Sequence, residues 1–115
     1  IPYQLVHLST GDMSRPSAST MDIEAWLPGQ NRYREVSSAS NTTDFQARRL
    51  KIKYRHPEPN TWASVTDFVH VLNGTVFAMG RTLIAILENY QQKDGSVAIP
   101  EVLQPYMGGM RFIKR

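Results

Sequence analysis

Apolar and polar positions change period several times along the chain, and each change marks an expected element. Tyr3 to Leu8 reads as a strand, closed by the turn residues Ser9-Thr10-Gly11-Asp12. Ser14 to Thr20 is small and polar and carries Pro16, so it reads as a loop. Met21 to Leu27 alternates, with Ile23, Ala25 and Leu27 on one face and Asp22, Glu24 and Trp26 on the other. Pro28-Gly29-Gln30-Asn31 is a strong turn signal. Tyr33 to Ser38 returns as a strand, so Met21 to Ser38 predicts an antiparallel hairpin.

Thr43 with Gln46 fits a capping box, Asp44 being an alternative cap, and predicts a short helix from Asp44 to about Leu50. Lys51 to Tyr54 alternates as a strand does. Arg55 to Ser64 contains Pro57 and Pro59 and reads as a loop. Val65 to Met79 is rich in Val, Phe and Thr and predicts one long strand. Gly80 to Gln92 places Ile84, Leu87 and Tyr90 at helical spacing, with Leu83 and Ile86 beside them. Asp94-Gly95 is the expected stop. Ile99 to Gly109 reads as a Pro-initiated turn of helix. Strands come first and one long helix last. The expected class is α+β, an antiparallel sheet with a long C-terminal helix packed on it, and not the alternation of a dinucleotide-binding fold.

Composition narrows the picture. The 115 residues leave room for one domain, and 41% hydrophobic and 20% charged residues are a globular balance. The absence of cysteine removes disulfides, zinc ribbons and thiol nucleophiles. No apolar run is long enough to span a membrane, and no secretory leader pattern opens the chain. The chain starts at Ile1, inside an apolar strand-like segment, as a piece of a longer protein would. A net charge of +3 is compatible with phosphate-bearing partners and does not establish nucleic-acid binding. Arg48, Arg49, Lys51, Lys53 and Arg55 form the one basic group, either a solvated face or a phosphate-facing patch.

Three sets of residues carry possible chemistry. Glu35, Ser37 and Ser38 offer a carboxylate and hydroxyls, a donor set for a hard cation such as magnesium. Glu35 and Ser37 share a face of a regular strand, and Ser38 needs a bulge or the strand end to join them. The alternative is a polar edge strand facing water. Asn73 and Thr75 share a face by period 2 and interrupt an apolar run, Phe68 to Met79. They either bond to neighbouring backbone or wait for a polar ligand, since an unpaired buried polar group costs about 1–3 kcal/mol. Arg81 follows Gly80 in the first helical turn, where the dipole favours anions; it is an ordinary exposed arginine or a phosphate contact. His7, His56 and His70 lack metal-ligand spacing, and His70 reads as a core residue.

The run Arg34-Glu35-Val36-Ser37-Ser38-Ala39-Ser40-Asn41, then Asp44-Phe45-Gln46-Ala47-Arg48-Arg49, is answered downstream by Asn73-Gly74-Thr75 and Gly80-Arg81-Thr82. With Ser9-Thr10-Gly11-Asp12-Met13, Asp22 to Gly29 and Ile99-Pro100-Glu101-Val102-Leu103, these motifs run through nearly the whole chain. In this order they resemble the C-terminal part of the catalytic domain of the seryl-tRNA synthetases, class II aminoacyl-tRNA synthetases. The resemblance implies that Glu35, Val36, Ser37 and Ser38 line an ATP site and that Glu35 and Ser38 are linked to its magnesium. It implies that Arg81 is the motif 3 arginine on the triphosphate, and that Thr75 contacts substrate serine with Asn73 nearby. The family more often has serine at the position of Thr75 and glycine at that of Val76. Thr75 keeps the hydroxyl and adds a methyl.

The parent enzyme so implied is a serine–tRNA ligase, cytoplasmic and homodimeric, that uses ATP, serine and tRNA and no membrane. Motif 1, motif 2 and the tRNA-binding arm lie upstream in the family and are expected to be missing here, which leaves an isolated fragment inactive. A serine-activating paralogue that loads a carrier protein, or an excised binding or folding module, are the other readings of the same residues.

Overall fold

The computed structural model describes residues 1–57 and 64–114. In chain order its elements are β1 (Tyr3–His7), β2 (Ser19–Leu27), β3 (Arg32–Asn41), α1 (Phe45–Leu50), β4 (Lys53–Pro57), β5 (Ser64–Phe68), β6 (Leu72–Thr75), α2 (Met79–Tyr90), β7 (Val97–Ala98) and β8 (Phe112–Ile113). Single 3-10 segments cover Pro28–Gln30 and Glu101–Met107. Among these, β1-β2-β3-β6 form one sheet in that order, and β4-β5 and β7-β8 form two-stranded ladders. The chain divides into two compact units. One holds residues 1–5, 23–36 and 77–115, the other residues 6–22 and 37–76.

In the first unit, the turn at Pro28–Gln30 joins β2 to β3, and Asn31 closes it in the left-handed region at φ 50°. Strand neighbours joined by so short a link are antiparallel, as the hairpin expectation has it. Ala25, Leu27 and Val36 of this hairpin are buried against Ala85 of α2. Alanine at that point lets the helix approach the strands closely. Polar contacts fix it at both ends. Ala78 N–H donates to the Val36 carbonyl at 2.7 Å. Asn89 Nδ2 donates to the Trp26 carbonyl at 2.8 Å, and Gly29 N–H donates to Glu88 Oε2 at 2.8 Å.

In the second unit, β6 pairs antiparallel with β3, Ser38 opposite Thr75, Ala39 opposite Gly74 and Ser40 opposite Asn73. Gly74 is required there: a Cβ on it would collide with the Ser38 carbonyl oxygen. Helix α1 buries Ala47, and Thr42 just before it is 1% exposed.

Several expectations need correction. The run Val65 to Met79 is two short strands in different sheets, followed by the start of α2. Ser64–Phe68 takes β4 as partner and Leu72–Thr75 takes β3, so the backbone leaves one ladder for the other across Val69–Val71. Val71 N–H donates to the Thr43 carbonyl at 2.8 Å within that link, and His70 is exposed there rather than in a core. Apolar β propensity gives no information on which partner a strand takes. Arg55, His56 and Pro57, expected in a loop, belong to β4, and Ser64 opens β5. The rest of that loop, residues 58–63, lies outside the described residues.

No capping box forms at α1. Asp44 at φ −91°, ψ 0° is not extended, so its carboxylate pairs with Arg48 at 2.8 Å instead of capping. Thr43 takes φ 47°, and its N–H donates to Asn41 Oδ1 at 2.9 Å. On β2 the burial is inverted at one step: Asp22 is 6% exposed and Ile23 37%. Finally, the helix is neither long nor terminal. It spans 12 residues, ends at Tyr90 ahead of Asp94-Gly95, and is followed by the β7–β8 ladder. The class is mixed helix and antiparallel sheet, without a long C-terminal helix among the described residues.

Candidate functional site

The residues singled out by sequence fall into two sets, one in each unit, and β3 passes from the first to the second between Val36 and Ser37.

The first set is Glu35, Val36 and Arg81. Val36 is buried in the core cluster, so any part it has in ligand binding falls to its backbone. Its carbonyl already accepts from Ala78 N–H, which sets the start of α2. Three residues further on, Arg81 reaches back to β3. Its Nη1 donates to the Glu35 carbonyl at 2.6 Å and lies 3.3 Å from Glu35 Oε2. The pair is about half exposed, 47% for Arg81 and 37% for Glu35. An exposed pair of this kind contributes little to stability, roughly 0–1 kcal/mol. Its effect is orientation. A guanidinium has five N–H donors in a rigid fork, and one nitrogen is committed here. The others keep the charge and the fork geometry that suit phosphate.

The second set is Ser37, Ser38, Asn73 and Thr75. Ser37 Oγ donates to the Thr75 carbonyl at 3.0 Å, so this hydroxyl ties β3 to β6. Ser38 stands opposite Thr75 and Ser40 opposite Asn73, which puts all four side chains on one face of the ladder. The expectation that Asn73 and Thr75 share a face is met. Ser38 shares their face by register, and that register does not bring it to the face of Glu35 and Ser37. Ser37, Ser38, Asn73 and Thr75 line a groove of about 420 Å³ with Gly74 and Val76. Asn73 and Thr75 are exposed rather than buried, so each is open to a ligand and does not depend on strand backbone for satisfaction.

Two contributors escaped the sequence reading. Gln46 Oε1 accepts from Asn73 Nδ2 at 3.3 Å, and Ser40 Oγ bonds with buried Thr20 Oγ1 at 2.9 Å. Nothing local to either residue signals those partners, because both depend on tertiary register.

The basic group is largely occupied with its own unit. Arg48 pairs with Asp44, Arg49 lies 3.5 Å over the Phe45 ring and Lys53 4.8 Å over Phe68. These contacts favour the solvated-face reading. Among the described residues no three of His, Asp and Glu gather as a metal cage. A divalent ion held with a nucleotide does not need one, since one or two carboxylates suffice beside phosphate and water oxygens. Glu35 offers one carboxylate of that kind, 3.3 Å from Arg81 Nη1.

Comparison with known proteins gives a consistent answer. Residues 1–90 match the family model described as tRNA synthetase class II core domain (G, H, P, S and T). The serine–tRNA ligase of Thermodesulfovibrio yellowstonii is 62% identical over 94% of this chain, and that of Desulforudis audaxviator 58% over 100%. This chain spans about a quarter of the length of these relatives, 24% and 26%. Among solved structures, seryl-tRNA synthetase from Pyrococcus horikoshii complexed with ATP matches 97% of the chain at 48% identity and a TM-score of 0.86, the match covering 24% of that protein. Cytoplasmic serine–tRNA ligase from Naegleria fowleri in complex with AMP matches 98% at 47% identity and a TM-score of 0.84, covering 26% of that protein. The chain therefore belongs to the class II tRNA synthetase core family, and within it resembles the serine–tRNA ligases.

Proposed function

We propose that this chain is the motif 3 part of the catalytic domain of a serine–tRNA ligase, and that the whole enzyme activates serine with ATP and passes the seryl group to tRNA. The observation that carries this is identity of 58–62% to serine–tRNA ligases across nearly the full chain. The relatives' common name favours tRNA over a carrier protein as acceptor. The ATP and AMP complexes of two structural neighbours support a nucleotide site in the matching region.

On this reading the serine carboxylate attacks the α-phosphorus of ATP, the bond to pyrophosphate breaks, and seryl-adenylate forms. A hydroxyl of tRNA then attacks the seryl carbonyl and releases AMP. No protein nucleophile is required, and catalysis is by positioning and by charge stabilisation. Arg81, oriented by the Glu35 carbonyl, balances charge on the leaving phosphates. Ser37, Ser38 and the Val36 backbone line the nucleotide side, and Glu35 would hold magnesium. The ion, when bound, neutralises phosphate charge. Thr75 receives the serine hydroxyl, with Asn73 beside it. Motifs 1 and 2, the tRNA arm and the dimer interface belong to the remainder of the enzyme, and its setting is the cytoplasm. No helix among the described residues is long and apolar enough to cross a membrane.

The test is ATP–pyrophosphate exchange by the full-length enzyme across all amino acids. Serine should support exchange, and seryl transfer should require tRNA. Exchange with a different amino acid, or none with serine, would overturn the assignment.

A further inference from the structure

Behind Asn73 the second unit carries a relay of polar side chains that ends on backbone. Thr42 is 1% exposed, and its Oγ1 donates to the Val71 carbonyl at 2.9 Å. The same oxygen lies 3.4 Å from Gln46 Oε1. Gln46, in the first turn of α1, accepts from Asn73 Nδ2 at 3.3 Å. Asn73 is otherwise exposed on a short strand, where two side-chain torsions are free to turn its amide over. A terminal amide has one acceptor atom and one donor atom. With one Nδ2 hydrogen held by Gln46, the orientation of the amide is set and Oδ1 is turned away from Gln46, free to accept from a ligand.

We propose that Gln46 is a positioning residue that holds Asn73 by its Nδ2 and so leaves Asn73 Oδ1 as the atom presented to the amino-acid substrate. An acceptor beside the Thr75 hydroxyl selects a ligand that brings hydrogen-bond donors, as the hydroxyl and ammonium of serine do. The inference rests on the reading that Asn73 and Thr75 meet serine. It goes beyond that reading by naming the residue that sets the polarity of the pocket.

The experiment uses the full-length ligase and four variants: Gln46→Met, Gln46→Glu, Asn73→Ala and the Gln46→Met/Asn73→Ala double. KM for serine and KM for ATP are measured separately in pyrophosphate exchange. Loss of one orienting hydrogen bond should raise KM for serine about fivefold to tenfold in Gln46→Met and leave KM for ATP unchanged. Gln46→Glu keeps an acceptor and should restore KM for serine. The double variant should be no worse than Asn73→Ala, since the two residues act as a unit. Equal impairment in Gln46→Glu and Gln46→Met would overturn the proposed polarity. So would additive losses in the double, or a loss of stability that moves both KM values together. If Asn73→Ala leaves KM for serine unchanged, Asn73 itself is outside the site, which separates failure of the parent reading from failure of the Gln46 role alone.

Discussion

Arg81 is oriented by its own protein before any phosphate meets it. One nitrogen is spent on the Glu35 carbonyl, and the rigid fork carries the remaining donors along a defined direction. Arg81→Ala in the full-length ligase should therefore weaken ATP use by about 1.5–3 kcal/mol, the range for a charge-assisted contact. Thermal stability should change little, because the Glu35 pair is half exposed. Arg81→Lys should recover only part of the loss, keeping charge without the fork. Unchanged exchange kinetics in Arg81→Ala would remove it from the site. At this scale the sequence was informative where period alone decides. Alternation puts Asn73 and Thr75 on one face, and a first-turn arginine after glycine marks a helix start. Gln46 and Ser40 were not legible, since their roles arise only once β6 is paired with β3 and α1 is packed.

Gly74 is where register and site meet at the level of elements. Its lack of a side chain lets β6 lie against the Ser38 carbonyl, and the Ser38–Thr75 pair depends on that approach. Gly74→Ala should cost about 1–3 kcal/mol, as overpacking does, and should raise KM for serine as the ladder shifts. Urea denaturation and exchange kinetics on the same variant check both. At α1, Thr43 is β-branched with φ 47°, a conformation that costs about 1–2 kcal/mol. Thr43→Asn should recover much of this and raise the midpoint of unfolding. The turn after α2 has a pH signature. Ser96 O–H and N–H bond to Asp94 Oδ1 and hold its carboxylate below the ordinary 3.8. A depressed folded value stabilises above the unfolded pKa and the benefit is lost as pH falls through the folded one. Ser96→Ala should thus flatten the acid limb by lowering stability slightly above about pH 3.8, neutral pH included, and leave stability at the acid end nearly unchanged. Element types were readable for the β2–β3 hairpin, because turn residues bracket an alternating pattern. They were not readable for Val65 to Met79, where a continuous apolar run hides a change of partner strand. The capping box failed for a related reason: the tertiary bond from Val71 N–H to the Thr43 carbonyl holds a backbone that a cap would not adopt.

At the scale of the whole molecule, the first unit exposes much apolar surface. Phe77, Met79, Leu83 and Val102 are 61%, 80%, 56% and 77% exposed, and they line one groove of about 530 Å³. Surface of this kind marks an interaction face. The 115-residue chain alone should self-associate without a defined stoichiometry in sedimentation experiments and show no serine-dependent exchange, whereas the full-length ligase should sediment as a defined dimer and support exchange. The family was legible in the sequence because its motifs are long and ordered. The division into two units was not, because it cuts β1, β2 and β3 in mid-strand, where no turn or linker residue announces it.

The central claim is that the groove beside β6 reads the substrate hydroxyl, and Thr75→Val in the full-length ligase tests it most directly. The swap is nearly isosteric and removes one polar contact. A site built for a hydroxyl discriminates strongly against analogues that lack it, because its polar groups are otherwise left unpaired. Serine and alanine activation are compared by pyrophosphate exchange with and without the substitution. The predicted result is a collapse of the preference for serine, through slower serine activation at an unchanged KM for ATP. Full retention of that preference would contradict the account and leave Thr75 as a strand residue only.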